Sequence, residues 1–141
     1  MRTTTHPITE LSQLKELAFQ LKDKVQAGEV VYLLGDLGAG KTTFAQLFLK
    51  ACGVVESVKS PTYTLYETYQ AGEKHFVHMD LYRLTDPEEL YFLGIEDLLN
   101  QRNIILLEWP DKGAGVMPDA DWLLEFNLNK LNRTLTITSG K

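Results

Sequence analysis

The feature that most constrains this chain is the nonapeptide Gly35-Asp36-Leu37-Gly38-Ala39-Gly40-Lys41-Thr42-Thr43. It fits the pattern G-x-x-x-x-G-K-[ST], and its flanks give that pattern meaning. Val30-Val31-Tyr32-Leu33-Leu34 precedes it as a short, β-prone apolar run. Phe44, Leu47, Phe48 and Ala51 follow at helical spacing. Strand, glycine loop and helix in that order form a phosphate-binding loop. Its glycines permit backbone conformations and a close approach that a Cβ would block. Successive N–H groups and the positive end of the helix then surround the phosphates. Lys41 reaches toward the β/γ-phosphates, and the Thr42 hydroxyl is placed to bind Mg²⁺. Nucleoside-triphosphate binding is the first expectation.

Composition narrows the setting. With 141 residues, 44% hydrophobic and 23% charged, the chain suits one globular domain spanning residues 1–141. A net charge of −5 argues against a general electrostatic grip on nucleic acid, leaving a local patch or a partner for any such role. One cysteine, Cys52, excludes an internal disulfide framework and fits a reducing compartment. It reads as a small packed residue near the end of the helix. No apolar run is long enough to span a membrane, and the first residues lack a signal-peptide core. A cytoplasmic protein is expected.

Along the chain, residues 2–8 suit a short edge strand or a loose end. Thr9 can cap a helix with Glu10 in its first turn, and Leu11, Leu14, Leu17, Ala18, Leu21 and Val25 form its apolar stripe. Ser57 to Thr62 reads as a loop in which Pro61 constrains its neighbours. Tyr63–Tyr69 and His75–Tyr82 predict an antiparallel hairpin. Asp86-Pro87-Glu88-Glu89 starts a helix, bent near Gly94 and ending around Asn100. Ile104–Leu107 suits a strand buried on both faces. Trp122–Leu128 and Thr134–Thr138 predict a closing hairpin around Asn129-Lys130-Leu131-Asn132. The fold class is therefore α/β: a phosphate-loop NTPase-like domain whose mixed, mainly parallel central sheet carries flanking helices and antiparallel hairpins.

Such a domain needs a carboxylate at the end of a neighbouring strand, to hold the Mg²⁺ shell or orient water. Ile104-Ile105-Leu106-Leu107-Glu108 supplies one candidate and Phe76-Val77-His78-Met79-Asp80 another. A zinc site at His75, His78 and Asp80 is disfavoured, because residues 75 and 78 of one strand point to opposite faces and no cysteine pair lies nearby. Thr62 reads equally as a switch threonine sensing the γ-phosphate or as an ordinary loop residue. Trp109, beside Glu108, is first a packing residue, although an aromatic next to a nucleotide would report its binding. Asn129 to Asn132 resembles a guanine-reading N-K-x-D element but has Asn where Asp is needed, and no D-x-x-G occurs. ATP is favoured over GTP.

The ordered set of motifs resembles the TsaE (YjeE) family of small P-loop ATPases. It comprises the phosphate loop, Ser60-Pro61-Thr62-Tyr63-Thr64-Leu65, His78-Met79-Asp80-Leu81-Tyr82-Arg83, Pro87-Glu88-Glu89-Leu90, Leu93-Gly94 and Glu108-Trp109-Pro110. The resemblance implies ATP and Mg²⁺ binding and slow ATP hydrolysis to ADP and phosphate. It also implies work with TsaD and TsaB in placing a threonylcarbamoyl group on the adenosine next to the anticodon of ANN-decoding tRNAs, with tRNA met indirectly through that complex. By position it assigns Gly38, Ala39, Gly40, Lys41, Thr42 and Thr43 to the phosphates and Thr42 and Glu108 to the metal. Asp80 falls close to the γ-phosphate, Thr62 in the switch-like loop, and Glu10 and Leu11 near the base. Lys41, Asp80 and Glu108 are the catalytic candidates, and Trp109 is grouped with the nucleotide contacts. Two other readings are a small-molecule kinase and a non-hydrolytic ATP-dependent docking switch. The first is disfavoured because, of Arg2, Arg83, Arg102 and Arg133, only Arg83 lies near a motif.

Overall fold

A computed structural model describes residues 2–128 and 132–140. Seven strands form one sheet in the order β1-β7-β6-β2-β5-β4-β3. They are β1 (Arg2–Pro7), β2 (Val30–Leu34), β3 (Tyr66–Ala71), β4 (Lys74–Asp80), β5 (Asn103–Glu108), β6 (Trp122–Leu128) and β7 (Arg133–Ser139). The central pairs β6–β2, β2–β5 and β5–β4 are parallel, whereas β1–β7, β7–β6 and β4–β3 are antiparallel. Only β7 and β3 run against the rest, so the sheet is mainly parallel in direction, as the sequence predicts.

Alternation along these strands divides the core. Val31, Leu33, Phe76, Ile104 and Leu106 face α1 (Leu11–Leu21) and α2 (Lys41–Ala51). Val30, Val77, Met79, Ile105 and Leu107 face the short helices α3 (Glu89–Phe92) and α4 (Ile95–Leu98). Ile104 to Leu107 are each no more than 2% exposed, which explains why β5 is apolar without alternation. Gly94, at φ +73°, separates α3 from α4 where the sequence predicts a bend.

Several boundaries move for local reasons. The cap of α1 is Glu10 rather than Thr9, because Gln13 reaches back to accept from the Glu10 backbone N–H at 3.0 Å. Leu11, placed on the apolar stripe by sequence, is 62% exposed. The strand expected from Tyr63 begins at Tyr66. The Leu65 N–H donates to the Pro61 carbonyl at 2.8 Å and Leu65 adopts φ +73°, which coils residues 61–65 into a turn. The next strand stops at Asp80, whose Oδ1 accepts the Tyr82 N–H at 3.0 Å and turns the chain away. The turn predicted at Asn129-Lys130-Leu131 lies outside the described residues.

Phe44 and Phe48 of α2 carry the load of the first core, stacking at 6.2 Å and meeting Phe126 and Phe76 edge-on. Phe48→Ala is expected to cost about 3–5 kcal/mol by urea denaturation. Val55→Ala, at a position 98% exposed, should stay within about 0.5 kcal/mol of the parent.

Candidate functional site

The chain leaves β2 at Leu34 and turns at once into the glycine loop. Gly35 has φ +150°, and a Cβ there would stand 2.7 Å from the Phe126 carbonyl oxygen of the adjacent strand. Gly40 caps α2 at φ +113°, a conformation costly to any residue with a side chain. Both glycines are therefore required by the path that brings the loop over the sheet and starts the helix. The N–H groups of the first turn of α2 face the mouth of the cleft, with the positive end of the helix behind them.

Parallel register brings the acids together. β4 and β5 align Asp80 with Glu108, so both carboxylates stand side by side on the face that carries α2. Glu108 is 2% exposed and Asp80 6%. The Thr42 hydroxyl donates to Glu108 at 3.1 Å from each carboxylate oxygen. His78 Nε2 lies 2.7 Å from Glu108 Oε2. Thr62 Oγ1 donates to Asp80 Oδ2 at 3.4 Å and is itself 2.8 Å from Ser60 Oγ, so the Ser60-Pro61-Thr62 loop ends on one of the two acids.

Lys41 is 4% exposed and donates to the Gly35 carbonyl at 2.5 Å. Its ammonium sits 3.8 Å from the centre of the Trp109 ring. Trp109 holds that place at φ +58°, a left-handed conformation unusual for a bulky residue, with its ring 5.0 Å from that of Tyr82. Burial lowers the Lys41 pKa, and the charges of Glu108, Asp80, Asp36 and Asp111 oppose that shift. Burial likewise raises the Asp80 pKa, helped by the nearby Glu108 and resisted by the bonds from Tyr82 N–H and Thr62.

Two adjoining hollows result. One, of about 220 Å³, is lined by Gly38, Gly40, Lys41, Thr42, Thr43, Thr62, Asp80, Glu108 and Trp109. The other, of about 280 Å³, lies beside it and is lined by Glu10, Leu11, Ala39 and Phe126 as well as Gly40 and Thr43. Every candidate named from the sequence thus borders one of two contiguous spaces. Arg133 borders both and was missed. It stands at the start of β7 with no motif around it, and the place of the β6–β7 hairpin beside β2 brings it to the cleft. Arg83, the arginine nearest a motif, stacks on Tyr63 at 4.4 Å instead. His75 and His78 diverge as alternation requires: His75 pairs with Arg102 and His78 with Glu108.

The donor set fits a magnesium nucleotide. A hydroxyl and a buried carboxylate already in contact are hard oxygen donors of the kind Mg²⁺ prefers. A buried lysine bonded to a carbonyl, under an aromatic face, has reason to exchange that partner for a phosphate oxygen.

A known family matches most of the chain. The family model described as "Threonylcarbamoyl adenosine biosynthesis protein TsaE" matches residues 8–135. The chain belongs to the TsaE family. A Haemophilus influenzae protein named tRNA threonylcarbamoyladenosine biosynthesis protein TsaE is 50% identical over 107 residues, covering 76% of this chain and 68% of the relative. A Rickettsia conorii protein of the same name is 39% identical over 135 residues, covering 95% of this chain and 75% of that one. The crystal structure of Bacillus subtilis YdiB superposes with a TM-score of 0.81 at 25% identity, over 99% of this chain and 87% of that chain. The fold of this chain is therefore shared with that structure.

The raised pKa of Asp80 has a consequence for this TsaE-family fold. The native state holds the Asp80 proton more tightly than the unfolded chain does. Its contribution to stability is therefore present at low pH and is lost as pH rises from the ordinary value of 3.8 through the raised one. Asp80→Asn should accordingly raise the Tm of the nucleotide-free protein by roughly a few degrees at pH 7. The advantage should shrink below about pH 4, where wild-type Asp80 is protonated in both states. Thermal unfolding at the two pH values checks it; an equal or lower Tm for the variant at pH 7 counts against the assignment.

Proposed function

We propose that this chain, whose family places it in threonylcarbamoyl adenosine biosynthesis, is a Mg²⁺-dependent ATP-binding protein and slow ATPase. It acts with TsaD and TsaB in the cytoplasm to drive or reset the complex that modifies adenosine next to the anticodon of ANN-decoding tRNAs. The observation that carries the reading is the contact of Thr42 with Glu108 directly beside Asp80 and the buried Lys41, all at the opening of a glycine loop. A structural helix start has no use for two buried carboxylates and a buried ammonium. The acidic net charge of −5 supports an indirect relation to tRNA, through the partners.

In this reading each side chain has a defined task. The backbone N–H groups from Gly38 to Thr43 cradle the phosphates, and Lys41 leaves the Gly35 carbonyl to meet them. Thr42 and Glu108 hold the metal, which when bound neutralises developing charge on the phosphate oxygens. Asp80, with a carboxylate made more basic by burial, faces the reacting end and can orient a water by accepting its hydrogen bond. Thr62, bonded to Asp80, links that end to the Ser60-Pro61-Thr62 loop and so to any surface the loop presents to a partner. Arg133 spans the two hollows and adds a positive charge where nucleoside meets phosphates. Glu10 and Leu11 border the space left for the base.

Lys41→Ala should lower ATP turnover by about two orders of magnitude. In a many-turnover assay of threonylcarbamoyl transfer to tRNA with TsaB, TsaD, ATP and preformed threonylcarbamoyl-adenylate, sustained turnover should require the intact protein and fail with that variant. Equal transfer with wild type, variant and no addition would remove the proposed role. Arg133→Ala should weaken ATP binding by about tenfold, measured by calorimetry, while leaving Tm near the parent value. Unchanged affinity would take Arg133 out of the site.

A further inference from the structure

Phe76, His78 and Asp80 form one row of β4, all on the face that carries α2. Phe76 is core and Asp80 borders the cleft, while His78 lies between them, wholly buried at 0% exposure. Its partner in register on β5 is Leu106, itself 0% exposed. An aliphatic side chain is what such a position ordinarily holds. Among the described residues, the ring nitrogen Nδ1 has no hydrogen-bond partner. A histidine kept for structure would satisfy both nitrogens; this one makes a single bond, 2.7 Å long, to Glu108.

We infer that His78 is a positioning residue for the metal-side carboxylate, holding Glu108 Oε2 from beneath so that the carboxylate presents a fixed edge to a bound Mg²⁺. The inference rests on the magnesium-nucleotide reading given above. An ionised carboxylate only accepts hydrogen bonds, so the ring donates from Nε2. Thr42 contacts the same carboxylate from above, at 3.1 Å. A hydroxyl can offer a lone pair to a cation and still donate its hydrogen to the carboxylate, so His78 supplies a second hold on a group that Thr42 already meets. His78 is not among the residues that line the cleft. Its bond to Glu108 comes from the core, apart from the groups that line the cleft. Outer partners of this kind orient ligands and tune their affinity.

Two variants and one wild-type measurement test this. His78→Leu fills the space without a donor, and His78→Gln restores an N–H near the position of Nε2. Mn²⁺ affinity is read by electron paramagnetic resonance in saturating ADP, and ADP affinity without metal by calorimetry. His78→Leu should lose about 10- to 100-fold in Mn²⁺ affinity, with metal-free ADP affinity kept within about twofold. His78→Gln should recover to within about threefold of wild type by keeping the donor. Wild-type Mn²⁺ affinity in His78→Leu, or no recovery in His78→Gln while both bind metal-free ADP, overturns the inference and leaves the nucleotide reading intact. If the wild-type chain binds neither ADP nor Mn²⁺, the nucleotide reading falls and the inference falls with it. Should His78→Leu fail to fold, the Nε2–H proton signal of the unaltered protein decides. It should shift on adding Mg²⁺ and ADP, and a signal that stays in place overturns the inference.

Discussion

The in-register parallel pairing of β4 with β5 is the constraint on which the site depends. Each strand ends in an acid, and register alone turns two strand ends into a pair of adjacent carboxylates. A one-residue slip would send one of them to the opposite face, against α3 and α4, and break the contact with Thr42. What prevents the slip is the apolar content of β5, which is buried on both faces and has a separate core on each side. The chemistry at the mouth is thus specified by leucines and isoleucines well below it.

The same economy of parts appears on the other side of the cleft. The loop that carries Lys41 and Thr42 is fixed by a backbone contact, since Gly35 passes too close to the Phe126 carbonyl for any side chain. α2 then covers the first core with Phe44 and Phe48. Its N-terminal turn is therefore the free end of a helix otherwise anchored by packing. Stability comes from that packing, and the buried charges at the end oppose it: both Lys41 and Asp80 are shifted by burial away from their charged forms. A site that is unfavourable by itself is one that gains from a ligand.

The sequence makes the architecture legible because local and global signals agree. Val30–Leu34 followed by a glycine loop and a periodic helix can form only one arrangement, and the acid after Ile104–Leu107 has a single address once that arrangement is accepted. Local backbone chemistry hides the rest. Tyr63 and Thr64 alternate like a strand, yet the Pro61 carbonyl captures the Leu65 N–H and makes a turn. Leu11 continues an apolar period and still ends at the edge of a hollow, because the helix begins there. Arg133 could not be read at all: it belongs to no motif, and its place depends on the β6–β7 hairpin lying beside β2, about 90 residues earlier in the chain. His78 carried a weak signal as a polar residue in an apolar strand, but its bond to Glu108 is a property of the register.

The groups of the cleft satisfy one another: Lys41 the Gly35 carbonyl, Thr42 the Glu108 carboxylate, Thr62 the Asp80 carboxylate. Entry of a ligand is then an exchange of partners, in which bonds are broken for each one made. An anion would draw Lys41 from the Gly35 carbonyl, and a cation would draw on the Thr42 hydroxyl and the Glu108 carboxylate. The arrangement consequently works as a lock with two wards, one met by negative charge and the other by positive.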